Sequence, residues 1–75
     1  MTYEEEFELK SYSKTELSKM YNPMLCNRSA LRILMLWINH NKELKKSLIS
    51  AGFTPTLRVF TPRQVELITS FLGEP

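Results

Sequence analysis

The chain has 75 residues, a formal surplus of two positive charges and an apolar share of 43%. That length holds one domain with a modest core. One cysteine (Cys26) excludes an internal disulfide and, with one histidine (His40), excludes a tetrahedral zinc site made by this chain alone.

The longest apolar run, Ile33 to Ile38, falls far short of the roughly 20 residues that span a bilayer. No apolar run follows a basic start as in a signal peptide. The expectation is therefore a cytoplasmic protein with no membrane association and a thiol in a reducing compartment.

Charge is unevenly placed. Glu4, Glu5 and Glu6 crowd the start, and residues 1–6 are expected to form a flexible acidic tail ahead of a single compact domain over 7–75. From Phe7 to Gly73 the chain holds all ten Lys and Arg but only Glu8, Glu16, Glu43 and Glu66. The folded body is therefore basic, as a surface facing phosphates would be, although a charge of this size also serves as an ordinary solubilising surface.

Phe7 and Leu9 alternate with Glu8 and Lys10, which predicts a short strand near 7–11. Ser13 followed by Glu16 is a reciprocal cap that opens a first helix, with Tyr12 and Leu17 placed for a hydrophobic staple. Asn22-Pro23 stops it, because proline disfavours helical geometry in the residue before it. A second helix is expected from Asn27, with Asn27 as its cap. Ala30, Ile33, Leu34, Trp37 and Ile38 form its buried stripe, and Arg28, Arg32, Met35 and Asn39 its opposite face. A third helix, Lys42 to Ala51, carries Lys42, Lys45 and Lys46 outward and ends at Gly52. Leu57 and Val59 alternate with Arg58 and Phe60, so a second strand is expected near 56–60, paired with the first. Thr61, Pro62 and Gln64 form the start of a last helix, which Gly73 ends. The fold class is thus mainly α: a small four-helix, helix-turn-helix-like domain with a two-stranded β element.

Catalysis is not expected. Cys26 and His40 sit at opposite ends of one predicted helix, about 21 Å apart at ~1.5 Å per residue. There is no aspartate, and the two glycines both fit helix stops, so no phosphate-cradling loop exists. Cys26 reads as a small buried side chain and Trp37 as a core anchor. No cofactor and no metal are expected.

Two binding functions remain. In the first, double-stranded DNA is the partner: Arg28 and Arg32 contact phosphates or guanine edges, Asn39 or Asn27 reads adenine, and Lys14, Lys19, Lys42, Lys45, Lys46 and Arg58 touch backbone. In the second, Met24, Leu25, Met35 and Leu36 form a soft apolar patch for a protein partner or a homodimer. A core-filling role is the competing reading for Leu25 and Leu36.

Several phrases taken together carry a family resemblance: FELKSY (7–12), SKTELSKMYNP, SALRILMLWI, the pair Gly52-Phe53, RVFTPRQVELI and the closing LGEP. In this order they resemble domain-of-unknown-function family 4248, short bacterial proteins of Bacteroides type. The resemblance covers Phe7 to Pro75 and implies compactness, with no catalytic or binding residues attached. More loosely, the order Thr-Glu-Leu, Tyr, Leu, Trp-Ile and then Thr-Pro-x-Gln-Val looks like helix-turn-helix modules of the excisionase and MerR-like kind. The Asn22 to Cys26 connection departs from that pattern, being longer and more apolar than the usual tight turn.

Overall fold

The computed structural model describes residues 7–75, so the expected acidic tail over 1–6 lies outside the described residues. Four helices and one two-stranded ribbon follow in the order β1 (Tyr12–Ser13), α1 (Lys14–Tyr21), α2 (Asn27–His40), α3 (Lys42–Ser50), β2 (Val59–Phe60) and α4 (Pro62–Leu72). The architecture is mainly α with a short antiparallel β element, as the sequence predicts.

Both strands are shorter than expected; the first is shifted past 7–11, and the second lies within 56–60. Tyr12 pairs with Phe60 and Ser13 with Val59, and Phe7 to Lys10 stays outside it. The cause is Tyr12, whose ring is buried and stacks on Phe7 with centroids 5.4 Å apart. Its hydroxyl donates to the Glu8 carbonyl at 2.8 Å. The segment before β1 therefore folds back onto one aromatic ring and cannot run on as a strand.

α1 opens as its sequence dictates. Ser13 Oγ accepts the Glu16 N–H at 3.0 Å and Glu16 Oε1 accepts the Ser13 N–H at 2.9 Å. These bonds hold the Glu16 carboxyl below its usual pKa, the backbone donor contributing most. Tyr12 and Leu17, on either side of the cap, join the same core cluster. α1 ends at Tyr21, and Lys19 ties down the break that follows by donating to the carbonyls of Pro23 and Leu25.

α2 begins at Asn27, but its N-cap is Cys26, which makes no side-chain cap bond. Ala30, Leu34 and Ile38 are wholly buried. Trp37 is not the core anchor its spacing suggests: it stays 38% exposed. It projects about 100° from Ile38 at 3.6 residues per turn, which leaves it at the rim of so small a core. There it meets Tyr21 edge-on at 6.0 Å. Met35, expected on the outer face, packs against the core.

α2 and α3 abut at Asn41, whose side chain accepts the Leu44 N–H at 3.0 Å and so starts α3 within one residue of the end of α2. α3 closes with Gly52 at φ +93°, the Gly52 N–H bonding Ile49 O at 3.0 Å and the Phe53 N–H bonding Leu48 O at 2.9 Å. This paired closure satisfies the last carbonyls of the helix. It turns Phe53 back into the core, 6.1 Å from the ring of Phe60. α4 opens with Thr61, Pro62 and Gln64 as predicted. Gln64 is only 1% exposed and also donates to Ala51 O at 2.9 Å, fastening α4 to the end of α3.

Candidate functional site

Arg28, Asn39 and Arg32 are all exposed and leave α2 within about 40° of one another at 3.6 residues per turn. Met35, expected on this face, turns inward. Among the described residues the one ion pair is Arg63 with Glu66, at 2.7 Å. No described carboxylate neutralises Arg28, Arg32 or Arg58, or Lys42, Lys45 and Lys46 on α3.

The β pairing brings two further cations together. Lys14 and Arg58 are far apart in sequence, yet the Lys14 N–H donates to Arg58 O at 2.9 Å and so extends the ribbon by one bond. Their side chains border a groove of about 430 Å³ that also takes in Ser13, Thr15, Thr56 and, from α2, Leu31. The Lys14 ammonium stands 5.7 Å from the centre of the Phe53 ring and 3.4 Å from Pro55 O, which holds it to the groove wall. Two cations and three hydroxyls on an apolar floor suit a phosphate and the sugar beside it.

Leu31 links this groove to the arginine face. Moving around α2 away from the core, the positions run from Leu31 through Met35, Arg28 and Asn39 to Arg32. The groove and the arginine face thus adjoin along the same helix. Sequence reading named Lys14 and Arg58 only as scattered backbone contacts. Their meeting depends on the register of β1 with β2, which no local spacing reveals; the Thr54-Pro55-Thr56 turn beside Arg58 was the available sign.

The other expected site residues are placed differently. Lys42, Lys45 and Lys46 surround Ile49, which is 55% exposed, in a depression of their own of about 320 Å³. Lys19 is engaged with the carbonyls of the α1–α2 break. Met24 is 94% exposed and Leu25 37% exposed in that break, whereas Leu36 is 44% exposed in the middle of α2. Met35 packs against the core, so Met24, Leu25 and Leu36 are the exposed members of these four. Leu25 and Leu36 do not complete the core.

Cys26 is exposed, contrary to the buried role its composition suggests. Its thiol donates to Ser29 Oγ at 3.4 Å, and its pKa is lowered, chiefly by the Ser29 hydroxyl and backbone, with smaller help from the Arg28 amide and the Lys19 charge. His40 is exposed at the end of α2.

Among the described residues no group of three or more His, Cys, Asp or Glu side chains is placed to hold a metal ion. No helix among them is long and apolar enough to cross a membrane. No curated protein and no solved structure matches the chain. One family model does, and it covers the groove, the arginine face and all four helices. Matching residues 8–75, it places the chain in the family described as Domain of unknown function (DUF4248).

Proposed function

We propose that the chain is a non-enzymatic module that binds double-stranded DNA. The groove beside Lys14 and Arg58 takes a backbone phosphate, and the Arg28–Asn39–Arg32 face of α2 lies along the duplex. One observation carries this reading: Lys14 and Arg58, brought together by the ribbon and free of any described carboxylate, border a groove that reaches α2 at Leu31, on the flank of the arginine face. In this reading α1 and α2 act as the two helices of a helix-turn-helix-like module, and Lys19 holds the break between them. Asn39, two turns beyond Arg32 on the same face, is the side chain suited to an adenine edge.

Titration of a labelled random duplex across a salt series tests it. Each neutralised phosphate contributes roughly 0.9 to the slope of log affinity against log salt, so three phosphates, one in the groove and one at each α2 arginine, give a slope of about −2.7. Arg58→Ala shallows the slope by about 0.9, and Arg28→Ala with Arg32→Ala by about twice that. These side chains are exposed, so circular dichroism of the variants stays that of the parent. Absence of duplex binding at low salt overturns the proposal, as does a slope indifferent to all three substitutions.

A further inference from the structure

Glu4, Glu5 and Glu6 stand in a row, and Phe7 follows them directly. Phe7 is where that row meets the fold. Its ring stacks on buried Tyr12, with 5.4 Å between centroids. Tyr12 leads straight into Ser13 and Lys14, which line the groove shared with Arg58. Three extended residues span roughly 10 Å, and a glutamate side chain adds to that reach. The acidic row is therefore tethered within reach of the groove.

The groove has cations and no described counter-charge. Among the described residues neither Lys14 nor Arg58 has a carboxylate within ion-pair distance. Glu16 is close along the chain, but its Oε1 is engaged by the Ser13 N–H at 2.9 Å. Lys10 lies 5.3 Å from the centre of the Tyr12 ring, a third cation beside the ring on which Phe7 stacks. We infer that the row Glu4–Glu6 occupies the Lys14–Arg58 groove and has to leave before a nucleic-acid phosphate enters it. This rests on the reading of that groove as a phosphate site. A carboxylate takes the same donors as a phosphate oxygen: the ammonium, the guanidinium and the hydroxyls of Ser13, Thr15 and Thr56. Tethering supplies the rest, because a contact too weak to hold a free peptide holds a segment whose local concentration is high.

The first arm of the test uses the free protein. In the full chain with Cys26→Ser, a nitroxide on Thr2→Cys broadens the amides of Ser13 to Thr15 and Thr56 to Arg58 at low salt. Changing Glu4, Glu5 and Glu6 together to Gln weakens that broadening. Salt at about 1 M, where the Debye length is roughly 3 Å, weakens it likewise. The second arm adds a labelled duplex. The triple Gln variant binds it about two- to tenfold more tightly than the parent, the scale of two exposed ion pairs. In an Arg58→Ala background that gain shrinks. A mere change of net charge gives the same gain in both backgrounds.

Broadening equal in the parent and the Gln variant overturns the proposal. So does broadening centred on Lys42 to Lys46 or on Arg28 and Arg32, which gives the acidic row another resting place. An equal gain with and without the Arg58 side chain also overturns it. Failure of the proposed function is seen separately: if no variant binds duplex, the nitroxide comparison alone decides whether the row sits in the groove.

Discussion

Gln64 shows how much one side chain can fix in a chain this short. Its Oε1 accepts the Thr61 N–H at 2.9 Å and its Nε2 donates to Ala51 O at 2.9 Å, so one amide closes α4 at its start and ties it to the cap of α3. An amide buried this deeply is favourable only while both ends are bonded. Gln64→Leu keeps the approximate volume and strands both partners. The expected loss is about 1–3 kcal/mol, read as a lower urea midpoint with an unchanged slope. Gln64→Glu restores the bond to Thr61 but turns an acceptor toward the Ala51 carbonyl. It is therefore less stable at pH 7 than at pH 4, since burial favours the neutral acid. The first of Gln64's two roles was legible in the sequence, because a Thr-x-x-Gln cap is local. The second was not, because nothing in the spacing says that Ala51 lies opposite.

The same division holds for whole elements. Helix starts and stops were readable, being written in adjacent residues: Ser13 with Glu16, Thr61 with Pro62 and Gln64, Gly52 and Gly73. The second strand fell within its expected range, but the first was set several residues too early and Trp37 was assigned to the core. Both outcomes depend on which distant ring a side chain meets, Phe7 against Tyr12 and Tyr21 against Trp37. The candidate site divides likewise. The α2 arginine face followed from periodicity, and the Lys14–Arg58 groove did not. Gly52 tests how far the local rule extends. At φ +93°, a Cβ there meets nothing closer than Gln64 Nε2 at 3.8 Å, so the position has room and only the backbone objects. Gly52→Ala is expected to cost about 1–2 kcal/mol, with helix content unchanged by circular dichroism below the transition. A loss well beyond that range signals that the α3–α4 junction, and not the dihedral alone, has been disturbed.

On the scale of the molecule, the ribbon ties Tyr12–Ser13 to Val59–Phe60, and the Tyr21–Gly73 hydrogen bond ties the end of α1 to the residue after α4. Tyr21 closes α1, braces Trp37 and holds the segment after α4. Its phenol is pushed up to about 12, first by burial and then by the nearby charge of Glu74. The neutral form is the one that donates to Gly73, so ionisation removes the donor and sets a second negative charge near Glu74. The folded value lies above the ordinary one near 10. The contribution of Tyr21 to stability is therefore complete below pH 10 and is lost as pH rises from there toward about 12. Thermal melts between pH 8 and about 11.5 should show the parent losing stability more steeply than Tyr21→Phe, whose ring still packs but cannot ionise. At pH 8 the order reverses, because the variant lacks the bond to Gly73. Crossing of the two curves is the expected signature, and parallel curves would mean that the phenol contributes packing alone. Since Tyr21 also holds the indole, Trp37 emission should shift to the red over the same alkaline range in the parent and hold steady in Tyr21→Phe.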